Sequence, residues 1–291
     1  MRFATYKTDG GKEAVGVVAA DGKSVLDLAE LGHPAGDMLE FIGFYTSAVR
    51  DDLQGKLSRA GIPLEKVVLD APIPRPRHDI VCVGQNYLEH ALESARYKGV
   101  EYVKPDYPVY FSKRVDRAVA DRGFIPAHAD ITDKLDYEAE LAVVIGKRCD
   151  HVEPGNVFEH VFGYTIVNDV SARDLQSNHS QWMLGKSLDG FAPMGPWIVT
   201  ADEFAPPPRL TVTTKINGEL RQNANTSEFI FDIPYLISQL SQGIVLEPGD
   251  IVITGTPSGV GMGFVPPKFL KPGDEIECAI EGIGVLRNVV R

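Results

Sequence analysis

Two glutamates, Glu138 and Glu140, stand at the start of an apolar, β-branched run that ends at Gly146. Such a run is typical of a buried strand, and residues two apart on a strand project from the same face. Two like charges beside a buried strand repel each other and lose solvation, and a bound cation would relieve both effects. The same pattern also fits an edge strand whose glutamates face solvent. The spacing therefore predicts either a metal site or a solvated strand face.

A third carboxylate, Asp169, ends the next predicted strand, residues 163–169. Converging carboxylate ligands without a nearby histidine or cysteine favour a hard divalent ion over zinc. If the metal interpretation holds, Glu138, Glu140 and Asp169 are the candidate ligands for Mg²⁺, Mn²⁺ or Ca²⁺.

A possible general base follows the strand that ends at Gly84. His90 and Glu93 are three residues apart, so on a helix they share a face and can form a hydrogen bond. A carboxylate partner raises the basicity of an imidazole and fixes its tautomer, which suits proton abstraction. The alternative is an ordinary surface contact between the two side chains.

Two lysines are candidates for binding an anion. Lys113 shares a strand face with Phe111. Its ammonium could lie over an anionic ligand, or its aliphatic stem could be buried while the ammonium reaches water. Lys186, between Gly185 and Ser187, is a candidate for binding a carboxylate or an enolate.

The residues before Lys186 predict ordinary structural roles. Arg173 and Asp174 are expected to form a local ion pair, and Trp182 and Met183 are expected in the core.

A glycine-rich segment, residues 254–263, suggests a loop whose backbone amides approach a ligand closely. It lacks the Lys-Ser/Thr ending of a phosphate-binding loop, and no helix signal follows. We therefore exclude nucleotide binding.

The elements that must position these residues are mainly strands. Residues 1–72 mix strands with short helices and predict a small α/β N-terminal domain. Three prolines between residues 72 and 76 mark a boundary. Residues 73–291 contain many short strands, an Asn217-Gly218 hairpin and one clear helix near residues 231–240, so the predicted class is α+β, mainly β.

Composition excludes several classes of function. The chain has 291 residues and a formal net charge of −11, which argues against binding nucleic acid or an anionic membrane. No apolar run is long enough to span a bilayer, and the first residues lack the apolar core of a secretion signal. The three separated cysteines suit buried thiols in a reducing compartment, so we expect a cytoplasmic protein.

Taken together, these motifs resemble the fumarylacetoacetate hydrolase family over residues 78–291, in order and in spacing. The matching blocks are residues 81–87 with His90, 110–113, 137–141, 163–174, 185–187 with Asp189, 217–222 and 254–261.

The resemblance implies a mixed β-roll catalytic domain, usually a homodimer, that binds Mg²⁺ or Mn²⁺. By position, the metal ligands are Glu138, Glu140 and Asp169. The implied catalytic residues are His90, Glu93 and Lys186, and the implied substrate-binding residues are Tyr87, Lys113, Gln176 and Thr256. Residues 91–107, which are polar and irregular in sequence, correspond to a segment that often acts as a lid.

Family members share an enolate held at the metal, and only the bond that is broken differs between them. The leading expectation is a hydrolase that cleaves a carbon–carbon bond in an acylpyruvate-type 1,3-diketo acid. The alternatives are oxaloacetate decarboxylation and isomerisation of a 2-oxo-hept-ene-1,7-dioate at the same site. An alternative of another class is a protein that binds a 2-oxo acid without turnover.

Overall fold

The computed structural model describes residues 1–8 and 10–291. The strands are β1 Arg2–Lys7, β2 Glu13–Val18, β3 Ser24–Asp27, β4 Ile62–Pro63, β5 Val68–Leu69, β6 Ile80–Gly84, β7 Val109–Lys113, β8 Phe124–Ile125, β9 Leu135–Asp136, β10 Ala139–Ile145, β11 Val161–Asn168, β12 Ser171–Ala172, β13 Met194–Thr200, β14 Thr211–Ile216, β15 Glu219–Asn225, β16 Ile251–Ile253, β17 Glu275–Ile280 and β18 Gly284–Val290. The α-helices are α1 Met38–Phe44, α2 Ser47–Gln54, α3 Leu88–Lys98, α4 Arg173–Asn178, α5 Met183–Lys186 and α6 Ile233–Ser241.

A large sheet forms the centre of the molecule, with β10 and β11 among its interior strands. Its order is β4-β3-β2-β1-β13-β11-β10-β16-β6-β7, and β5 pairs with β1. Every residue of β10 and β11 is buried, as their nearly continuous apolar sequences predict. The two strands are antiparallel, with Ala139 opposite Asn168. This register brings the start of β10 and the end of β11 to the same edge of the sheet.

The two faces of the large sheet pack into separate hydrophobic cores. On β10, Leu141 and Val143 point into one core, whereas Ala142 and Val144 point into the other. This is the alternation expected of a strand that is covered on both sides. The face of Ala142 is also the face of Glu140, so a carboxylate begins a row of otherwise apolar side chains.

A second sheet, β15-β14-β17-β18-β8, and helix α6 together cover the core that contains Leu141 and Val143. The hairpin between β14 and β15 has Asn217 at φ 50° and Gly218 at φ 81°, the left-handed pair that the sequence predicts. Helix α6 begins after Asp232, whose side chain accepts a hydrogen bond from the Tyr235 amide at 2.8 Å. The predicted fold class, α+β and mainly β, is confirmed.

The first strands of the chain continue the large sheet. Strand β1 pairs with β2 on one side and with β13 on the other. The Thr5 hydroxyl donates to the Pro72 carbonyl at 2.7 Å, so the proline-rich segment is packed against β1. The domain boundary near residue 72 stays a prediction.

Two further sequence expectations concern the whole chain. The three cysteines are buried free thiols, as predicted. Among the described residues, no helix is long and apolar enough to cross a membrane.

Gly163, in the middle of β11, allows β13 to approach. A Cβ atom there would lie 2.2 Å from the Val199 carbonyl oxygen. We expect Gly163→Ala to lower the free energy of unfolding by about 2 kcal/mol or more, because backbone must shift in a packed sheet. Urea denaturation measures this. Gly155→Ala is the control, since a Cβ there meets nothing within 4 Å. Equal midpoints for the two variants would contradict the packing argument.

Candidate active site

Three buried carboxylates converge where β10 begins and β11 ends. Glu138, Glu140 and Asp169 each offer an oxygen atom, and these atoms lie within 4.8 Å of one another. The solvated-edge alternative for the two glutamates is wrong, because β10 lies between β11 and β16 and both side chains are buried. The chain thus holds a buried oxygen donor set that could bind a metal ion.

Cationic side chains neutralise part of this cluster. The Lys186 ammonium lies 2.6 Å from Glu138 Oε2 and 2.7 Å from Asp169 Oδ2. Arg173 Nη2 lies 2.6 Å from Glu138 Oε1. Burial alone would raise the pKa of Glu138, but Arg173 and Lys186 hold it well below its usual range. Burial would likewise lower the pKa of Lys186, and Asp169 and Glu138 raise it instead.

Glu140 is the least neutralised of the three carboxylates. Among residues 1–8 and 10–291 its side chain forms no ion pair, and its Oε2 accepts a hydrogen bond from the Gly255 amide at 2.6 Å. Burial, with Asp169 and Glu138 nearby, raises the pKa of Glu140 well above its ordinary value. A divalent cation would supply the missing positive charge. The donor chemistry and this charge deficit both fit a hard ion such as Mg²⁺ or Mn²⁺.

Lys113 supports the cluster from behind. Its ammonium lies 2.8 Å from Asp169 Oδ1 and donates to the carbonyl oxygens of Val170 at 3.1 Å, Phe191 at 2.9 Å and Lys186. The expectation that this ammonium could reach water is wrong, because the side chain is 0% exposed. Lys113 therefore fixes Asp169 relative to Lys186, and it does not line the cavity in front of the carboxylates.

The histidine–glutamate pair is buried on α3. His90 Nδ1 lies 3.2 Å from Glu93 Oε2, and the Gly259 amide donates to Glu93 Oε1 at 3.0 Å. A Cβ at Gly263 would lie 1.8 Å from Glu93 Oε1, so a glycine is needed for this close approach. With Glu93 as acceptor for Nδ1–H, Nε2 of His90 is the free basic nitrogen.

The glycine-rich loop has a different role from the one expected. Its amides donate to protein carboxylates: Gly255 to Glu140, as described, Gly261 to Asp136 Oδ1 at 2.6 Å, and Met262 to Asp136 Oδ2 at 3.0 Å. The loop therefore holds the buried acidic side chains in place.

One cavity of about 270 Å³ lies at this arrangement, and Asp169, Lys113 and Glu93 are not among the residues that line it. The predicted site residues that line it are His90, Glu138, Glu140, Gln176, Lys186 and Thr256. Glu93 lies behind His90. Tyr87 does not line the cavity either: it is buried, and its ring packs against Phe229 at a centroid distance of 5.0 Å.

Sequence reasoning missed Arg173. Its predicted ion pair with Asp174 is wrong: Arg173 Nε lies 2.8 Å from Asp136 Oδ2, and the guanidinium also reaches Glu138 and lines the cavity. Asp174 instead accepts a hydrogen bond from the Thr132 hydroxyl at 2.6 Å. The available signal was the position of Arg173 four residues after Asp169.

Two other expectations near the cavity are also wrong. Trp182 lines the cavity, and Met183 is 45% exposed, so neither belongs to the core. The proposed lid segment is not irregular throughout, because α3 extends to Lys98 and only residues 99–108 lack regular structure.

Comparisons with known proteins agree with this arrangement. A sequence profile described as fumarylacetoacetate (FAA) hydrolase C-terminal matches residues 79–291. The chain is 49% identical over 227 residues to "Oxaloacetate tautomerase YisK" of Bacillus subtilis, which covers 78% of this chain and 74% of the relative.

Solved structures match the whole chain. A fumarylacetoacetate hydrolase from Exiguobacterium antarcticum has 40% identity and a TM-score of 0.84, covering 100% of this chain and 99% of that one. A 5-carboxymethyl-2-hydroxymuconate delta-isomerase from Mycobacterium smegmatis has 33% identity and a TM-score of 0.76 over the same shares. Similar proteins thus carry hydrolase, isomerase and tautomerase names.

The unneutralised charge of Glu140 gives the first prediction for the site. Because its folded-state pKa is raised, the metal-free protein loses stability as pH rises above the ordinary value of 4.5 towards that raised pKa. We expect metal-free Glu140→Gln to melt a few degrees above the wild type at pH 8, with a smaller gap at pH 5. Thermal unfolding in a chelator measures both.

The same variant tests metal binding. Mn²⁺ should raise the melting temperature of the wild type but not that of Glu140→Gln, because a ligand that binds the folded state stabilises it. Glu65→Gln, an exposed site, is the control and should respond as the wild type does. An equal Mn²⁺ response in Glu140→Gln would rule Glu140 out as a ligand.

Proposed function

Because the chain belongs to the fumarylacetoacetate hydrolase family, we propose that it is a divalent-metal-dependent enzyme that acts through the enol of a small 2-oxo acid. Keto–enol tautomerisation of an oxaloacetate-like substrate is its leading reaction. The observation that carries this proposal is that His90 lines the same cavity as the buried carboxylates of Glu138 and Glu140.

Glu138, Glu140 and Asp169 would hold Mg²⁺ or Mn²⁺. When bound, the ion would polarise the 2-oxo carbonyl and stabilise the negative charge that develops on its oxygen. Lys186 contacts both Glu138 and Asp169 and so holds the two carboxylates in place. Thr256 and Gln176 line the cavity and can orient the substrate by hydrogen bonds.

His90 would move the proton. Its Nε2 would take a proton from the carbon next to the 2-oxo group and then give that proton to the carbonyl oxygen, which yields the enol and leaves His90 neutral again. The reverse sequence restores the ketone. Glu93 holds the Nδ1–H and stabilises the imidazolium that forms. Because Glu93 is itself anchored by the Gly259 amide, the base is held in one orientation.

Tautomerisation replaces carbon–carbon hydrolysis as the leading reaction. It requires only the proton transfer that His90 can perform, and it is the activity in the name of the relative with 49% identity. Hydrolysis of an acylpyruvate is the second candidate, because a buried histidine–glutamate pair also suits the activation of water. Decarboxylation of oxaloacetate needs no activated water. Binding without turnover would leave the oriented base without a role.

The decisive assay compares three substrates with metal-stripped and with Mg²⁺- or Mn²⁺-reloaded protein. Oxaloacetate is followed for enol–keto conversion and for CO₂ release, and acetylpyruvate and fumarylpyruvate are followed for cleavage. Metal-dependent interconversion of oxaloacetate without CO₂ release supports the proposal. Cleavage of the diketones alone would move the assignment to hydrolase, and CO₂ release alone would move it to decarboxylase.

Substitution of the base tests the mechanism directly. We expect His90→Ala to reduce kcat about 10²- to 10⁴-fold, the usual contribution of a positioned general base. Mn²⁺ binding, measured by calorimetry, should stay near the wild-type value, because His90 is not a ligand. His33→Ala is a matched control, since His33 also pairs with a carboxylate, Asp52 at 2.7 Å, away from the cavity. Near-normal turnover of His90→Ala would refute the assignment of the base.

A further inference from the structure

A further cation lines the cavity without contacting the carboxylate cluster. Lys98, the last residue of α3, lines the cavity, and its ammonium lies 5.6 Å from the centroid of the Trp182 ring. We propose that Lys98 binds a distal carboxylate of the substrate, an inference that rests on the proposed function. The preferred substrate is then a 2-oxo dicarboxylic acid and not a monocarboxylic acylpyruvate.

Two neighbouring aromatic rings link the surroundings of Lys186 to those of Lys98. The Lys186 ammonium lies 5.2 Å from the centroid of Phe111, and the rings of Phe111 and Trp182 lie 5.2 Å apart, edge to face. The Lys98 ammonium in turn lies over the Trp182 ring. The cavity wall therefore has an apolar stretch, with Lys186 over one ring and Lys98 over the other. A short carbon chain fits such a wall, and an anionic group fits each end.

Lys98 lacks an anionic partner in the protein. Among residues 1–8 and 10–291, no carboxylate contributes to its environment, and Arg173 is the charged group that acts on it. Desolvation of the ammonium lowers the pKa of Lys98, although the residue as a whole is exposed, and the positive charge of Arg173 lowers this pKa further. A bound carboxylate would relieve this repulsion. By contrast, Lys113, Arg173 and Lys186, the cations at the inner end, already contact carboxylates of the protein.

Trp182 sets the position of this cation. Gly84 lies against its ring, since a Cβ there would be 2.5 Å from Trp182 Cζ3. The ring is thus packed between the end of β6 and Phe111, and Lys98 lies over it. A cation over an indole keeps its charge available to an anion while its position is restricted.

The size of the cavity agrees with this assignment. A volume of about 270 Å³ is below the range of drug-sized ligand sites and suits one small acid. The 2-oxo acid end would lie at Glu138 and Glu140, beside the base His90, and the second carboxylate would lie at Lys98. The charge of the far end, and not the reacting group, would then select between diacids and monoacids.

The test is a change of substrate preference. Lys98→Met should raise KM for oxaloacetate about 10- to 100-fold, the effect of losing one charge-assisted hydrogen bond, with kcat little changed. KM for the monoacid acetylpyruvate should stay the same or fall. Lys98→Arg should restore most of the preference for the diacid.

Lys104→Met is the matched control. Lys104 is an exposed lysine nearby in sequence, its ammonium lies 6.0 Å from the Phe231 ring, and it does not line the cavity. The Lys104→Met substitution should leave KM for oxaloacetate and KM for acetylpyruvate unchanged. An equal change for diacid and monoacid in Lys98→Met, or the same effect in Lys104→Met, would overturn the proposal.

A binding measurement separates this proposal from the proposed function. Calorimetry on Mn²⁺-loaded wild type and Lys98→Met compares 2-oxoglutarate with 2-oxobutyrate, which differ by the distal carboxylate. If Lys98→Met loses affinity for 2-oxoglutarate but not for 2-oxobutyrate, the role of Lys98 is supported, even if the protein turns over no substrate. Absence of turnover would refute only the proposed function. Equal affinities of both proteins for both acids would refute the role of Lys98.

Discussion

The structure depends on the burial of three carboxylates at one edge of a sheet that is covered on both faces. Ionised groups in such a place are unstable without counter-charges. Lys113, Arg173 and Lys186 supply these charges from three different elements, the strand β7 and the helices α4 and α5. The packing of these elements around β10 and β11 brings their cations to Glu138 and Asp169.

The neutralisation stops at Glu140. Its neighbours give it one backbone amide, and the pKa of its carboxyl is raised. Without a bound cation, Glu140 therefore lowers the stability of the folded protein. Such a destabilising group is expected at a functional site, where ligand binding restores the lost stability. The glycine-rich loop serves the same arrangement, because its amides fix Glu140, Asp136 and Glu93 without adding charge.

The proposed division of the cavity into two ends gives a reason why one family carries several reactions. Hydrolase, isomerase and tautomerase names occur among proteins of similar fold. In the proposed mechanism the inner end, with its carboxylates and His90, forms the enol, and the fold alone does not select a reaction. The outer end, formed by Lys98 and Trp182, would then meet the part of the substrate that differs between these reactions.

Local sequence determined the strands and the spacing of the acidic residues. Strand alternation is a property of neighbouring residues, so Glu138 and Glu140 share a face wherever β10 lies, and the Asn217-Gly218 turn requires only its own backbone. Only the tertiary structure decided that Arg173 turns away from Asp174 towards Asp136 and Glu138, and that Trp182 borders a cavity. A side chain's partner is chosen by charge and space across the fold, between residues far apart in the chain, and no local period records that choice.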